Sequence, residues 1–340
     1  MRGLGSSLTI DTMRIGDVDV RGLARLAPMA GATNAPFRLV ARECGSGLTT
    51  TEEMDAASII FETPHAVSAT AYYPAERPLA MQLLGKNAEA LAEAAARCEA
   101  LGADVVDLNM GCPVPKITGK GKGAALMRDI PVAARILGAM RRAVRVPLTI
   151  KIRGGWDDMH LNAVEVARMA ESEGVDAIAV HPRTRSQMFT GKAPWTIIGE
   201  VVDAVRIPVT GNGDVHSMAD AQRMVAETGC QSVMVGRGAL GRPWVFDETY
   251  DVLPAAAQRE YRARVIARHV HLIREHCYER YALTQLKKHL SWYTEGLDHA
   301  CKCRAEIFQA RTADEVWETF QRYWTRAERE QAPALEAVIA

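Results

Sequence analysis

The sequence has no net charge, no long apolar run and no regular spacing of its cysteines. Its 41 lysines and arginines are balanced by 41 aspartates and glutamates, so bulk charge gives no indication of nucleic-acid or membrane binding. The sequence contains no stretch of about 18 or more apolar residues, so no membrane-spanning helix is predicted. The N-terminal region also lacks an apolar segment of the length found in signal peptides.

The cysteines are odd in number and lie in a long chain, which argues against a disulfide framework. They are Cys44, Cys98, Cys112, Cys230, Cys277, Cys301 and Cys303. We therefore expect reduced thiols in a cytoplasmic protein. Histidines and cysteines cluster in residues 269–277 and 299–303, but their spacing matches no strong zinc motif, so no metal site is predicted.

Short apolar runs recur through the first 240 residues of the 340-residue chain, in which 48% of the residues are hydrophobic. Most are almost continuously apolar, which is typical of parallel strands buried on both faces. They cover residues 24–29, 48–52, 79–84, 104–109, 147–152, 176–181, 207–212 and 231–235. Eight such runs, alternating with helical stretches, predict an α/β fold that is a TIM (β/α)8 barrel; the alternative is a doubly wound open sheet.

The intervening stretches have the spacing of amphipathic helices. Asn87 is the predicted N-cap of a helix over 88–101, and Gly174 and Gly229 follow two others. The remaining helices are predicted over 130–144, 160–173 and 217–228.

The strand pattern stops near residue 250, and residues 255–338 have helical periodicity and little glycine. This predicts a barrel over 13–250 followed by an all-helical domain over 251–340. Residues 1–12 have the character of a loose N-terminal extension, and Met13 is an alternative start of the chain.

Polar residues or glycines follow nearly every predicted strand. In a barrel, the carboxyl ends of the strands form the functional face, so these residues are expected to meet there. They are 28–37, Glu52, Glu53, Gln82, Asn109, Cys112, Lys151, Arg153, His181, Arg183, 211–214 and 235–244.

The last two of these loops are candidates for a phosphate site. Gly211, Gly213, Gly236 and Gly238 would allow a close approach of the backbone to an anion, and Arg237 would add a charge. The alternative is that these glycines do not bind an anion but allow tight turns in the barrel loops.

Lys151 lies inside an apolar strand, where a lysine without a partner is costly. One interpretation is a cation that stabilises the reduced form of a bound flavin. The other is a structural salt bridge with Glu52 or Asp107.

Taken together, these motifs resemble the tRNA-dihydrouridine synthase family, in particular its bacterial B-like branch. The resemblance extends from about Met13 into the C-terminal helices. The motif NMGCP, together with the other matching stretches in the same order along the chain, is highly specific for this family. The motif GNGD alone would be weak evidence for it. The matching stretches are APMAGATNAPFR (27–38), MQLLG (81–85), DLNMGCPVPKI (107–117), GAALMRD (123–129), TIKIRGGWDD (149–158), HPRTR (181–185), GNGD (211–214), VGRGALGRPW (235–244) and KKHLSWY (287–293).

The resemblance implies an FMN-binding barrel and a helical tRNA-binding domain that together reduce the C5–C6 double bond of uridine in tRNA with NADPH. The FMN ring system is then expected on Pro28, Met29, Ala30, Gln82, Asn109, Lys151 and His181. Its phosphate is expected on Asn212, Gly213, Asp214, Gly236 and Arg237.

The resemblance also assigns roles in the reaction itself. Cys112 is implied to donate a proton to C5, and a free cysteine with a pKa of about 8.5 is mostly a thiol at neutral pH. Arg183 is expected to contact the substrate, while Lys287 and Lys288 would bind tRNA phosphates. Trp292 and Tyr293 are expected in the helical core. No role is assigned to Lys120 or Lys122, and a monomer without a membrane or obligate protein partner is expected.

Two other functions fit parts of the sequence. A different flavin barrel would reduce a free pyrimidine or an enone, although such a substrate does not require the helical domain. A non-catalytic RNA-binding protein would not require Cys112.

Overall fold

The computed structural model describes residues 12–331, with side chains through residue 326. The chain divides into two compact units. One reaches Gly238 and includes Val245–Glu248, and the other comprises Ala239–Trp244 and continues from Thr249. The second unit therefore begins earlier than the predicted boundary at residue 251. The predicted extension over residues 1–12 lies outside the described residues apart from Thr12.

From residue 12 onward, the first unit contains eleven strands. They are β1 (Met13–Ile15), β2 (Val18–Val20), β3 (Ala24–Leu26), β4 (Thr49–Thr50), β5 (Met54–Asp55), β6 (Leu79–Leu84), β7 (Val105–Met110), β8 (Leu148–Arg153), β9 (Ala177–His181), β10 (Val209–Asn212) and β11 (Ser232–Val235). Its helices are α1 (Ala35–Glu43), α2 (Ala56–Ile60), α3 (Pro64–Thr70), α4 (Ala88–Ala100), α5 (Pro115–Thr118), α6 (Ile130–Ala143), α7 (Ala163–Ser172), α8 (Thr196–Ala204) and α9 (Met218–Thr228).

The parallel strands form a barrel in the order β3-β11-β10-β9-β8-β7-β6-β4. Backbone hydrogen bonds from Gly47 to Ala24 (3.0 Å) and from Leu26 to Leu48 (3.3 Å) link the two ends of this order. All eight predicted strands are present, and the TIM barrel is confirmed in place of an open sheet. The carboxyl ends of the strands consequently meet at one face.

Local capping explains where several helices begin and end. The Asn87 side chain accepts the Ala90 N–H at 2.8 Å and so begins α4 at the predicted position. Gly229 ends α9 in the left-handed conformation, with φ of 72°, as its position after the helix predicted. The two caps therefore set the beginning of α4 and the end of α9.

The antiparallel hairpin of β1 and β2 was not predicted. Met13 pairs with Val20 across it, and both side chains are buried in a cluster with Leu48 and Val105. The hairpin therefore packs against one end of the barrel core, and Met13 is part of that core. Two strands of three residues are too short to give a periodic signal in the sequence.

The second unit contains four helices among the described residues. They are α10 (Ala255–His276), α11 (Glu279–Tyr293), α12 (Ala300–Gln309) and α13 (Ala313–Gln331). Tyr293 is 3% exposed and stacks on Trp244, with 6.1 Å between ring centroids. The expectation that Tyr293 belongs to the helical core is confirmed. No helix in the described part of the chain is long and apolar enough to cross a membrane.

Candidate active site

Cys112 lies two residues beyond β7, in a turn that Asn109 shapes. The Asn109 side-chain oxygen accepts the backbone N–H groups of Gly111 (3.0 Å) and Cys112 (2.8 Å). Arg153 of the neighbouring strand β8 donates from Nε to the Gly111 carbonyl at 2.8 Å. The turn is therefore held from its own strand and from the next one, which fixes the direction of the Cys112 side chain.

Gly123 lies behind Cys112 and has φ of +60°, in the left-handed region that favours glycine. A Cβ atom added there would lie 2.7 Å from the Cys112 carbonyl oxygen and 2.9 Å from the Cys112 Cβ. The backbone also bonds here, because the Ala124 N–H donates to the Cys112 carbonyl at 3.0 Å. The segment after α5 thus packs directly on the cysteine.

Lys122, for which no role was predicted, forms an ion pair with Asp55. Asp55 also begins α2, since its side chain accepts the Ala57 N–H. The pair ties the segment that packs on Cys112 to the end of β5.

Glu53 faces the thiol of Cys112. The thiol sulfur lies 3.7 Å from Glu53 Oε1, and Glu53 Oε2 accepts from the Asn109 side-chain amide at 2.7 Å. Burial, and after it the neighbouring carboxylate of Glu53, raise the pKa of Cys112 to about 11. Cys112 is therefore a protonated thiol at neutral pH, which suits a proton donor.

Lys151 lies on β8, where its ammonium donates to Asn212 Oδ1 of β10 at 3.0 Å. It forms no ion pair within residues 12–326, so the alternative of a salt bridge with Glu52 or Asp107 is wrong. Burial, and after it the nearby Arg153, lower the pKa of Lys151 to about 8. A partly buried cation with one neutral partner is suited to an electron-rich ligand.

Gln82 and Asn109 are linked by a hydrogen bond of 2.9 Å. Gln82 is completely buried and donates to Asp107 at 2.7 Å, while both amide ends of Asn109 are bonded within the protein. The structure gives these two residues a positioning role. Their direct contact with a flavin stays a prediction, and for Gln82 it would require rearrangement.

The buried His181 and Arg183 form a group with the partly exposed Asp214 at the ends of β9 and β10. Arg183 is 2% exposed and donates to both carboxylate oxygens of Asp214, at 2.8 and 2.9 Å. It also lies 3.3 Å from His181 Nε2. Burial holds the pKa of His181 well below its usual value, and Lys151 and Arg153 lower it further. Such an imidazole is neutral at neutral pH. The bonds of Arg183 favour positioning over the substrate contact proposed for it.

The loops after β10 and β11 fit the phosphate of a flavin. Gly213 has φ of +122° and Asp214 has φ of 54°, so the backbone bends sharply here. Asp214 bonds through its carboxylate to Arg183 and to the Ala193 N–H, which leaves only its backbone for an anion. Arg237 is exposed and forms no ion pair within residues 12–326.

Two of the four glycines in these loops have packing roles instead. A Cβ atom at Gly211 would lie 2.4 Å from the Met224 sulfur, and one at Gly238 would lie 2.3 Å from the Val215 carbonyl oxygen. Their proposed role in anion binding is therefore unnecessary. Gly236 is different, because only ordinary contacts with Ala27 and Met29 surround it.

The predicted flavin contacts Pro28, Met29 and Ala30 directly follow Ala27, whose N–H donates to the Val235 carbonyl at 2.9 Å. They are partly or fully exposed at the same end of the barrel. The structure therefore brings them next to Gly236, as a common flavin site would require.

Trp156 was not predicted as part of the site. Two guanidinium groups lie over its ring, that of Arg128 at 4.6 Å and that of Arg185 at 4.8 Å from the centroid. Arg185 also donates to Thr118 of α5, at 3.3 Å. These cation–π contacts connect the loops after β8 and β9 to the helix that follows Cys112. No local sequence signal indicates such a long-range stack.

The two lysines predicted to bind tRNA belong to the helical unit. Both are partly buried in α11, and Lys287 donates to the Phe308 carbonyl at 2.9 Å. Their contact with tRNA stays a prediction.

The family model described as "Dihydrouridine synthase (Dus)" matches residues 25–329. The chain belongs to the dihydrouridine synthase family. It is 37% identical over 313 residues to "tRNA-dihydrouridine synthase B" of Pseudomonas aeruginosa, covering 90% of this chain and 93% of that protein. It is 39% identical to a "Probable tRNA-dihydrouridine synthase" of Rhodobacter capsulatus, covering 84% and 89% of the two chains.

Family membership confirms the prediction of an oxidoreductase, because dihydrouridine is uridine reduced at one double bond. Solved structures with low sequence identity support the barrel alone. A morphinone reductase variant in complex with tetrahydroNAD has a TM-score of 0.54 and 10% identity, over 72% of this chain and 90% of that one. A 2-naphthoyl-CoA reductase complex has a TM-score of 0.58 and 12% identity over 72% of this chain. This chain spans about half of that reductase, 52%.

Proposed function

We propose that this protein is a flavin-dependent tRNA-dihydrouridine synthase that reduces the C5–C6 bond of uridines in tRNA with NADPH. The observation that supports it most directly is the position of a protonated thiol, Cys112, at the barrel face that also presents Lys151. Family membership supports the same reaction, and the names of the relatives identify tRNA as their substrate. The helical unit supports a macromolecular substrate.

The residues present fit FMN as the flavin. Lys151 offers an ammonium, which Asn212 holds while its own amide donates to the Met234 carbonyl at 2.7 Å. Gly213, Gly236 and Arg237 offer backbone and charge to a phosphate. When bound, FMN would supply the hydride for the uracil ring, and NADPH would reduce the flavin again.

The residues of the chain then perform the proton chemistry. A uridine must leave its stack in the tRNA to reach the barrel face. Cys112 releases the proton of its Sγ–H to C5, because its high pKa keeps the proton available at neutral pH. Arg153 holds the Gly111 carbonyl and so keeps the thiol in place during the transfer. The positive charge of Arg153 also stabilises the thiolate that forms.

The test uses purified protein with bound flavin, NADPH and an unmodified tRNA transcript. We expect dihydrouridine at a limited number of positions and no reduction of free uridine under the same conditions. Reduction of free uridine at the rate seen with tRNA would favour the alternative of a small-molecule reductase. Absence of dihydrouridine in the transcript, with the flavin still reduced by NADPH, would refute the proposal.

A further inference from the structure

Glu53 is a partly buried carboxyl group that the reaction described so far does not use. It lies between β4 and β5, and its two oxygens face Cys112 Sγ (3.7 Å) and the Asn109 side-chain amide (2.7 Å). Within residues 12–326, no arginine or lysine forms an ion pair with Glu53. A carboxyl group that accepts from a thiol and has no cationic partner is suited to proton exchange with that thiol.

The proposed reaction does not explain how the Cys112 thiol regains its proton. Each turnover takes one proton from Cys112, so the residue ends as a thiolate and must be protonated again before the next uridine is reduced. Cys112 is partly buried beneath the segment of Gly123, so a bound tRNA would restrict its access to water further. A neighbouring acid would provide the proton without opening the site.

We propose that Glu53 is the proton relay that reloads Cys112 after each turnover. The inference rests on the proposed function, since it begins from the thiolate left by reduction of uridine. The Cys112 S–H bond breaks as a C–H bond forms at C5 of the uracil. The Glu53 O–H bond then breaks as the S–H bond forms again, and the Glu53 carboxylate regains its proton from water. No additional oxidant or reductant is needed.

The charges around Glu53 are consistent with this exchange. Burial raises its pKa, and the adjacent carboxylate of Glu52 acts in the same direction, while Cys112 and Lys151 lower it. A raised pKa increases the fraction of Glu53 that holds a proton near neutral pH. Asn109 donates to Oε2, which keeps Oε1 directed at the sulfur.

Glu53→Gln is the matched variant, because it keeps the shape and the acceptor for Asn109 but cannot supply an acidic proton. The holoenzyme is mixed with NADPH and excess unmodified tRNA transcript, and dihydrouridine is measured by rapid quenching. We expect the first equivalent per enzyme to form at nearly the wild-type rate, because Cys112 begins protonated. Later turnovers should slow by about 100-fold, the lower end of the effect of a lost general acid.

The pH dependence separates a relay from a purely structural role. In the wild type, the rate of later turnovers should fall as pH rises through the pKa of Glu53, because the acid form of Glu53 disappears. In E53Q the rate of later turnovers should depend less on pH. Flavin reduction by NADPH, followed by absorbance, should be equal in both proteins. Unchanged later turnovers in E53Q would overturn the relay. An equal loss in first and later turnovers with an unaltered pH profile would also overturn it.

A measurement without turnover tests the coupling separately from the proposed function. Alkylation of Cys112 by iodoacetamide, read by mass spectrometry, should begin at lower pH in E53Q because a neighbouring negative charge is gone. Glu52→Gln should leave this profile close to wild type. An unshifted profile in E53Q would overturn the coupling and the relay with it. A shifted profile in a protein that reduces no tRNA would instead show that the proposed function has failed.

Discussion

The Asn109 side-chain oxygen accepts the backbone N–H of Cys112 at 2.8 Å. The same oxygen accepts from Gly111, and the amide nitrogen donates to Gln82 and Glu53. All four hydrogen bonds of the side chain therefore lie within the protein. Asn109 connects the end of β7, the proposed acid and the proposed relay in one rigid group.

Replacing Cys112 should remove most turnover while the fold and ligand binding remain. Loss of a general acid lowers the rate by roughly 10²- to 10⁴-fold. Cys112→Ala should therefore lose that much dihydrouridine formation on unmodified tRNA, with flavin content and tRNA affinity near wild type. Cys301→Ala removes an exposed thiol and serves as the control. Equal activity of the two variants would remove Cys112 from the mechanism.

Gly123→Ala should inactivate the enzyme through Cys112 without contacting any ligand. The added Cβ would approach the Cys112 carbonyl oxygen to 2.7 Å, so the turn must shift. Gly121→Ala is a matched control: its φ is +75°, but its nearest atom, in Lys86, is 3.4 Å away. Urea unfolding should show a larger loss of stability in G123A than in G121A, because the added Cβ of G123A meets backbone. tRNA assays should show a loss of turnover in G123A alone. Full activity of G123A would contradict the tight packing described at Cys112.

Lys151→Met should reduce flavin binding. Methionine keeps the length of the side chain but removes the cation and its bond to Asn212. A charge-assisted hydrogen bond contributes about 1.5–3 kcal/mol, so affinity for FMN should fall roughly 10- to 150-fold. Lys192→Met, at an exposed position, should purify with wild-type flavin content. Fluorescence titration of the flavin-free proteins provides the measurement, and equal affinities would exclude Lys151 from the flavin site.

The helical unit should lose stability in mild acid because of two buried histidines. Burial lowers the pKa of His269 to about 3 and holds that of His289 well below its usual value. The unfolded chain, with histidine pKa values of about 6.5, therefore binds more protons as pH falls. Stability is complete above about pH 6.5 and decreases below it, by up to about 1.4 kcal/mol per pH unit for each histidine.

Urea unfolding followed by circular dichroism at about pH 7 and about pH 5 tests this dependence. His269→Gln should reduce the difference between the two pH values, even if the lost bond to Tyr293 lowers stability at both. His65→Gln, which alters an exposed histidine, should keep the wild-type difference. A wild-type dependence in H269Q would show that His269 is not the titrating group.

The barrel was predictable because its signals are local. Continuous apolar runs identified the eight strands, and caps such as Asn87 and Gly229 identified helix ends. The hairpin at Met13 was missed because short strands have little periodicity, and its core partners are distant in sequence.

The site was predictable as a set of residues but not as a set of contacts. Motifs placed Cys112, Lys151 and Arg183 at the strand ends, and the structure brings them to the same face. Their partners depend on register between strands. Lys151 therefore bonds to Asn212 rather than to a carboxylate, and Glu53, noted only as polar, faces the thiol. The stack of two arginines on Trp156 likewise joins residues from three separate segments.

We propose that this protein reduces uridine in tRNA with Cys112 as the proton donor. The most direct measurement is mass-spectrometric mapping of dihydrouridine in an unmodified tRNA transcript after incubation with NADPH and either wild-type or Cys112→Ala holoenzyme. We predict dihydrouridine at defined positions with the wild type and only a trace with the variant. Undiminished reduction by the variant, or none by a wild-type enzyme whose flavin NADPH reduces, would contradict the claim.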